Sequence, residues 1–458
     1  MRRPRYLACA VTAVLIAPGP AGAASLDEAL RAAYANNPNI SAARSELEAT
    51  NEGVSQARSR WRPTVTVNVT GGVQRTASQT GLTSNSGERL PRSGELRAEQ
   101  PVYQGGTADN AIERARDEVR AQRSRLAATR QDVFLRAVRA YMNVWRDRAV
   151  VRLRESNVEV LRERLKATQE RFDVGEVTRT DVAQAKSRVA RALADRTDAR
   201  AQLQASRARY TEVIGEAPAD LSRPDLPGNL PENRQATVDQ ARADNPEVVA
   251  AEHAEAAARD NVESITGELY PRIDIVGSLQ RTQRQTTSNS ETDTVELFGQ
   301  LTVPLFQRGE VHSRVREAKQ RLNQRRMDVV AAQRTAEQEA VAAWEDLVAA
   351  RSRIESRQQQ VRTAETALEG VREENRVGER TVLDILDQEQ ERLNAQVDLV
   401  RAKRDRVVAS YRLLVAVGDL TPGRLGIDAE RYSAEARYKA VQDRWFGTDI
   451  PGEDEGGS

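Results

Sequence analysis

The sequence predicts a mainly α-helical protein with a small β part, in which one structural unit occurs twice. Three observations support this prediction. Of the 458 residues, 30% are charged and only 4% are aromatic, which is typical either of disordered chains or of long, solvated helices. Residues 107–174 contain neither glycine nor proline, and residues 310–377 contain one glycine and no proline. Finally, similar segments recur along the chain at a nearly constant spacing, which indicates an internal duplication.

The duplication is visible as pairs of equivalent positions. These pairs are Pro38 and Pro246, Pro63 and Pro271, Pro101 and Pro304, and Val174 and Val377. The first two pairs are 208 residues apart and the last two are 203 residues apart. Chance similarity would not keep one register over more than a hundred residues. The shift of five residues falls between the second and third pairs, where a surface loop is therefore expected.

The repeat predicts how the chain is organised. A signal peptide is expected at residues 1–23, the first structural repeat at 24–216, a linker at 217–235, the second repeat at 236–419, and a partly disordered C-terminal tail at 420–458. Each repeat is expected to contain a helix, a β-hairpin (at about 64–103 and 272–304) and a long helical hairpin (at 107–214 and 310–417). Capping-box patterns at Ser25–Glu28 and Thr237–Gln240 are expected to begin the first helix of each repeat.

The N-terminus has the three parts of a secretory signal. Three arginines occur among the first five residues, residues 7–16 are apolar, and Ala21-Gly22-Ala23 supplies small residues for cleavage. Cys9 is the only cysteine and lies within this segment. The mature, exported chain is therefore predicted to contain no disulfide and no cysteine ligand.

The β-hairpins are predicted from alternation of polar and apolar residues. Residues 64–70 alternate strictly, which favours a strand with one wet and one apolar face. The other strand segments are 272–275, 295–303 and 96–99. Leu279 continues the first of these patterns loosely, and the pattern at 96–99 is the weakest. Exposed polar loops are expected between the strands of each hairpin. The pattern fits transmembrane strands, but it also fits a half-buried hairpin of a soluble domain. Long charged helices provide no hydrophobic core for such hairpins to pack against, which favours the interpretation as transmembrane strands. Because a transmembrane barrel needs about eight strands, the four strands of one chain could insert only in an oligomer.

The long helices are predicted to fold back on themselves. A 68-residue helix would be about 100 Å long, and apolar positions at heptad-like spacing, such as Leu161 and Leu165 or Ala364 and Leu368, indicate packing along a seam. Both stretches end in Val-Gly-Glu, where glycine permits a left-handed turn. A cytosolic coiled-coil scaffold and a periplasmic adaptor with a helical hairpin are alternatives. The signal and the β-hairpins count against the scaffold, and the twofold repeat counts against the adaptor.

Together, these features resemble the TolC family of outer-membrane efflux proteins. The resemblance extends from Ser25 to Val417 and depends on the motifs QPVYQGG, RFDVGEVTRTDV, PLFQRGE and VGERTVLDILD. It implies a homotrimer in which twelve strands form one transmembrane β-barrel, continued by a periplasmic α-barrel of twelve helices. It also implies location in the outer membrane of a Gram-negative bacterium. The implied function is a passive exit duct of a tripartite efflux or type I secretion system, opened at its periplasmic tip by an adaptor and an inner-membrane pump of RND or ABC type.

The resemblance also implies a gate at the helical tips. In the family, two aspartates of each chain narrow the tip, and Asp384 and Asp387 match them in the run Leu383–Asp387. The family's closed tip is held by an arginine and a tyrosine that contact a Thr-Asp pair. Arg380 matches the arginine and Thr180-Asp181 matches the pair, but Asn375 replaces the tyrosine. The turns at Gly175 and Gly378 would be where the adaptor docks. Without the resemblance, the two aspartates would be interpreted simply as part of a solvated helix face.

Motifs of enzymes and cofactors are missing from the sequence. The two histidines, His253 and His312, are far apart and lack metal-ligand spacing, and the sequence contains no P-loop, G-x-G-x-x-G or G-x-S-x-G pattern. Lys and Arg (69) nearly balance Asp and Glu (68), so there is no basic excess of the kind that favours nucleic-acid binding. The expectation is a protein that is not an enzyme, with no cofactor and no metal site.

Overall fold

A computed structural model describes residues 25–80, 83–287, 289–427 and 432–450, so the predicted signal peptide lies outside the described residues. Its helices are α1 (Leu26–Asn36), α2 (Pro38–Arg58), α3 (Thr107–Asp173), α4 (Arg179–Ile214), α5 (Arg234–Asp244), α6 (Pro246–Gly267), α7 (Glu310–Arg376), α8 (Val382–Ala416) and α9 (Ala434–Val441). Its strands are β1 (Thr64–Gly71), β2 (Gln74–Thr80), β3 (Thr83–Arg89), β4 (Arg92–Tyr103), β5 (Arg272–Gln283) and β6 (Glu291–Thr302). The prediction of a mainly helical fold with a small β part is confirmed.

The duplication is confirmed by the order of the elements. The series α1, α2, β1, β4, α3, α4 is repeated by α5, α6, β5, β6, α7, α8. The equivalent helices α3 and α7 each contain 67 residues. The interval that contains the five-residue shift also contains the connection between the paired strands, which runs from Gly72 to Pro91 in the first repeat and, shorter, from Arg284 to Ser290 in the second.

The compact units of the structure do not coincide with the sequence repeats. One unit, here called the tip unit, comprises residues up to 37, 134–228 and 347–411. The other, the sheet unit, comprises residues 38–133, 229–346 and those from 412 onward. Each unit therefore takes segments from both repeats, because α3 and α7 are long enough to contribute residues to both units.

The tip unit is built around the end of α1 and the middle of α3. Ser25 and Glu28 form the predicted capping box, in which the Ser25 amide donates to Glu28 Oε2 at 2.9 Å. Tyr34 stacks on Phe134 with ring centroids 6.0 Å apart. Tyr141 is buried, and its hydroxyl donates to the Ser222 carbonyl at 2.7 Å, which fixes the segment that joins the two repeats. Burial raises the pKa of this phenol, so it remains protonated as a donor.

The sheet unit contains a four-stranded antiparallel sheet in the order β1-β4-β5-β6. The inner pair, β4 with β5, joins the hairpins of the two repeats, and its register pairs Leu96 with Leu279. Beside the sheet, α2, α3 and α9 pack around Leu47, Val54 and Leu126, all of which are buried. Part of the predicted tail is therefore the helix α9, whereas residues 451–458 lie outside the described residues.

Two predictions from the sequence are wrong in detail. The loop predicted between β1 and β4 contains a further hairpin, since β2 pairs with β3. This segment is polar throughout, so hydrophobic alternation gives no signal for it. The predicted capping box at Thr237 does not exist, because α5 begins at Arg234, inside the predicted linker, and the cap is Asn233. Thr237 is buried within the helix, where its hydroxyl donates to the Asn233 carbonyl at 2.9 Å.

One buried contact is repeated in both halves of the chain. Within the tip unit, Asn37 Nδ2 donates to the Val213 carbonyl at 2.9 Å, and within the sheet unit Asn245 Nδ2 donates to the Ala416 carbonyl at 3.2 Å. Each bond connects the start of a repeat to the end of its long helical hairpin. Asn245 has a second role, because its Oδ1 accepts the Glu247 amide at 2.9 Å and caps α6.

Replacing either asparagine by alanine is expected to lower stability. Asn37→Ala leaves a buried carbonyl without this donor and should cost about 1–3 kcal/mol. Asn245→Ala should cost more, because it also removes a helix cap worth about 1 kcal/mol. Asn394→Ala is the control, since Asn394 is exposed and bonds only to Gln390 within α8. In thermal unfolding of the purified variants, the midpoint should be lowest for Asn245→Ala, higher for Asn37→Ala and highest for Asn394→Ala. Equal midpoints for all three would contradict the prediction.

Candidate functional site

The sheet has one apolar face, and that face is exposed. The register aligns Val67, Leu96, Leu279 and Val295 across the four strands, and Val65, Ala98, Gly277 and Leu297 in the adjacent row. Val67 is 68% exposed and Leu297 is 79% exposed. A water-soluble domain buries such a face, so a continuous exposed apolar surface marks a site of interaction. Because this surface extends across all four strands, it fits contact with lipid better than it fits a half-buried hairpin of a soluble domain.

The opposite face of the sheet is polar. It carries Thr66 and Asn68 on β1, Arg97 on β4 and Gln280 on β5. Near the strand ends this face is covered, since Asp274 and Val276 are buried, and the Asp274 carboxylate accepts from Arg272 Nε at 2.8 Å. The alternation of polar and apolar residues predicted this two-faced arrangement, but burial could be read only from the structure.

The turns between the long helices form the second part of the candidate site. Gly175 and Gly378 have φ angles of +82° and +84°, as the sequence predicts for a left-handed turn. In both turns, the amide after the glycine donates to a carbonyl five residues earlier, from Glu176 to Arg171 at 2.9 Å and from Glu379 to Glu374 at 3.0 Å. This is the Schellman arrangement, which satisfies the last carbonyls of a helix. Val174 and Val377, directly before the glycines, are exposed.

The two turns have the same backbone but different charge pairs. In the first, Arg171 Nε contacts Glu176 Oε2 at 3.0 Å. In the second, Arg380 Nε donates to Glu374 Oε2 at 2.8 Å, and Asn375 Nδ2 donates to the Arg380 carbonyl at 2.7 Å. Glu374 raises the pKa of the Arg380 guanidinium by this hydrogen bond, so Arg380 is charged at every physiological pH.

Asp181 and Asp384 have the same structural role in their respective repeats. Each lies in the first turn of its helix, α4 or α8, and its Oδ2 accepts from both the amide and the hydroxyl of a preceding threonine. The distances are 2.8 and 2.8 Å for Thr178 with Asp181, and 2.9 and 2.8 Å for Thr381 with Asp384. The bonds from Thr381 lower the pKa of the Asp384 carboxyl, so it is ionised at neutral pH. Within the described chain, Arg380 therefore bonds to its own turn and Asp181 to Thr178, and Thr180 is exposed.

Asp387 forms a contact that the sequence did not predict. Its Oδ1 is in ion-pair contact with Nη2 of Arg188, which lies on α4. In the part of the chain that the structure describes, this is the only ion pair between the first helical hairpin (α3–α4) and the second (α7–α8). No periodicity or motif could have identified Arg188, because the two residues belong to different repeats and are 199 positions apart.

The surroundings of this ion pair connect α8 both to the first hairpin and to α7. Leu386, next to Asp387, is buried against Val158 and Leu161 of α3. Glu389 is only 1% exposed and contacts both Arg372 of α7 and Arg392 of α8. A buried carboxylate shared by two arginines connects α7 to α8 tightly, because breaking such a pair would leave a buried charge without a partner. The second hairpin is therefore held together by Glu389, and Leu386 adds an apolar contact with the first hairpin beside the ion pair.

Within the described ranges, we find no helix that is both long enough and apolar enough to cross a membrane.

The same residues contain no group of three or more His, Cys, Asp or Glu side chains placed to hold a metal ion.

Two long helical hairpins and a sheet with an exposed apolar face are features expected of an outer-membrane channel, and the comparisons with known proteins agree. The chain belongs to the outer membrane efflux protein family, whose model matches residues 29–216 and 237–419. This family consists of channels rather than enzymes or adaptors, so the chain is an outer-membrane channel with a periplasmic helical extension. Channels of this kind are trimeric and work with adaptors and inner-membrane pumps.

Particular relatives are similar over most of their length. The chain is 33% identical to the outer membrane efflux protein BepC of Brucella suis over 94% of both chains. It is 25% identical to the outer membrane protein TolC of Vibrio cholerae, over 87% of this chain and 92% of the relative. The crystal structure of the Campylobacter jejuni CmeC outer membrane channel superimposes with a TM-score of 0.77 at 17% identity, covering 91% of this chain and 89% of that chain. The resemblance to the TolC family stated from the motifs is thereby confirmed.

A charge on the apolar face of the sheet should be far more harmful than a charge on the polar face. Val67→Arg places a cation where lipid is expected and should cost about 2–4 kcal/mol near the centre of the membrane. Asn68→Arg, at the adjacent residue on the opposite face, is the matched control, because Asn68 pairs with Glu95 and the added arginine meets an opposite charge. The amount of each protein in the outer-membrane fraction, and its resistance to urea after extraction, measure the difference. Equal behaviour of the two variants would mean that this face does not contact lipid.

Proposed function

We propose that the chain is the exit duct of a tripartite export system and that its helical tips form a closable gate. Three chains would bring together six long helical hairpins, with the Gly175 and Gly378 turns as docking points for the adaptor. The apolar face of the sheet would contact outer-membrane lipid, and an inner-membrane pump of RND or ABC type would supply the energy. The duct itself needs no energy source, as expected for a member of a family of channels.

The gate is proposed to be lined by Asp384 and Asp387. Threefold symmetry would arrange these carboxylates as two rings of three near the axis, where they would attract cations and repel one another. The bond of Asp384 to Thr381 supports this role, because it fixes the carboxylate at the first turn of α8 in its ionised form. Arg380, Asn375, Thr180 and Asp181 would lie at the same level and provide contacts between neighbouring hairpins.

The observation that carries the gate proposal is the ion pair between Arg188 and Asp387. It joins the first hairpin to the second at a residue of the proposed ring, so the second hairpin cannot move away without breaking it. The side chains of Arg188 and Asp387 are 26% and 58% exposed, so each pair contributes about 0.2–1 kcal/mol. Three pairs broken together would shift the balance between closed and open tips by about a hundredfold at most. An adaptor could supply the corresponding free energy through its own contacts with the tips.

The charge of the proposed ring can be removed without removing the helix cap. Asp384→Asn keeps an oxygen that accepts from Thr381, so α8 should still begin at the same residue. The double variant with Asp387→Asn should lose cation selectivity and block by multivalent cations in planar bilayers. Glu391→Gln is the matched control, because it removes one exposed negative charge of α8 outside the proposed ring and keeps an oxygen that can accept from Gln360. Unchanged selectivity in the double variant, or an equal loss in the control, would exclude the ring.

Removal of the ion pair should loosen the tip. Arg188→Ala is expected to raise single-channel conductance or open probability by several-fold, within the limit set by three weak pairs. Arg191→Ala removes an exposed arginine one turn away that makes no ion pair in the described chain, and should behave like the wild type. Exchange of the charges, Arg188→Asp with Asp387→Arg, should restore the closed state. If Arg188→Ala conducts like Arg191→Ala, the pair does not hold the gate, although the exit-duct proposal would stand.

A further inference from the structure

The segment after α9, residues 442–450, is attached firmly to the end of α2. Asp443 forms an ion pair with Arg58, and the Arg444 carbonyl accepts from Ser55 Oγ at 3.2 Å and from Arg62 Nη1 at 2.7 Å. The Arg62 guanidinium also lies over the Trp445 ring, 4.7 Å from its centroid. This segment lies beyond residue 419, where the match to the family model ends.

These contacts place Trp445 at one particular edge of the sheet. Arg62 precedes the first residue of β1, Thr64, by two positions, and Thr64 pairs with Glu99 near the end of β4. The Trp61 carbonyl accepts from Gln100 Nε2 of β4 at 2.9 Å, which fixes the same connection from the strand side. Trp445 is therefore held where the strands meet the helices, at the margin of the apolar face.

The side chains that the segment presents there are apolar and uncovered. Trp445 is 58% exposed and Phe446 is 85% exposed, and Ile450 is also exposed. Trp445, Phe446 and Ile450 line an open cavity of about 650 Å³ together with residues of α2, so they face open space although the segment is attached to the end of that helix. Other exposed apolar side chains occupy the same edge of the sheet: Tyr103 at the end of β4, Tyr270 before β5, and Leu305 and Phe306 after β6.

We propose that residues 445–450 are an interfacial anchor that inserts into the headgroup region of the periplasm-facing leaflet of the outer membrane. Tryptophan is favoured at this depth, because its ring is largely apolar and its indole N–H remains hydrated. The anchor continues the membrane-contacting surface of the strands. The side chain of Arg60, next to this connection, is exposed and forms no ion pair in the described chain, so it is available to a lipid phosphate.

Quenching of tryptophan fluorescence tests the proposal directly. The chain has four tryptophans, at 61, 145, 344 and 445. The full chain retaining only Trp445 would be reconstituted in phosphatidylcholine bilayers brominated on the acyl chain close to the headgroup. The matched control retains only Trp145, on α3 in the tip unit. Emission from Trp445 should fall at least about twofold relative to unbrominated bilayers, since the indole would lie within reach of the bromines. Emission from Trp145 should not change.

Two other occupants of this surface predict different spectra. If a second copy of the chain covers Trp445, its emission will be blue-shifted but not quenched, and the proposal is overturned. If residues 451–458 cover Trp445, its emission will again be blue-shifted and unquenched in the full chain, and it will shift to the red when the chain is ended at Ile450. This result also overturns the proposal. Unquenched, red-shifted emission from the full chain overturns it as well. Quenching that persists in the shortened chain supports the anchor.

A label provides the same test without removing tryptophans. The mature chain is predicted to have no cysteine, so Phe446→Cys can carry a single environment-sensitive NBD group. In phosphatidylcholine bilayers its emission should be blue-shifted relative to the same group in water, and it should fall at least about twofold when lipid with a nitroxide close to the headgroup is included. Glu373→Cys, at the exposed end of α7, is the control and should not respond. A label at 446 that behaves like the control would overturn the proposal.

Discussion

The pairing of β4 with β5 is the contact on which the sheet depends. Each repeat supplies its own antiparallel hairpin, and a two-stranded hairpin alone is at best marginally stable. The register between β4 and β5 joins the hairpins so that Leu96 lies opposite Leu279. A shift by one residue would place every apolar side chain of one hairpin on the polar face. The continuous apolar surface, and with it the contact with lipid that we propose, follows from this one register.

The tips show how a duplicated framework can become asymmetric. Both turns keep the same Schellman backbone, and both following helices keep the same Thr-Asp cap, because these features determine where a helix ends and the next begins. The charged side chains around them have diverged. Asp387 corresponds to Gln184 in the first repeat, and Arg188 corresponds to Glu391 in the second. The ion pair between the hairpins therefore occurs once in each described chain, and the gate that we propose uses this difference between the two hairpins.

The C-terminal segment extends the apolar surface of the strands at its margin. The preceding helix α9 is held by basic residues, as in the stacking of Arg123 of α3 on Tyr438 of α9, 5.2 Å from the ring centroid. The exposed rings beyond α9 then lie next to the strands rather than in the interior. Strands alone present apolar surface to acyl chains, whereas an aromatic margin fixes the depth at which the sheet sits.

The sequence by itself determined the local and periodic features of this protein. Glycine and proline spacing gave the long helices and the turns at Gly175 and Gly378, and the constant offset gave the duplication, because these signals depend on residues close in the chain or on copies of one pattern. The start of α5 and the hairpin β2–β3 were not predicted, since Asn233 lies in a polar linker and residues 74–89 lack apolar alternation. The tertiary structure alone decided that the apolar strand face is exposed and that Arg188 meets Asp387. The exposure of a strand face and the contacts between distant helices depend on how the repeats pack together, and this packing cannot be predicted from a local sequence pattern.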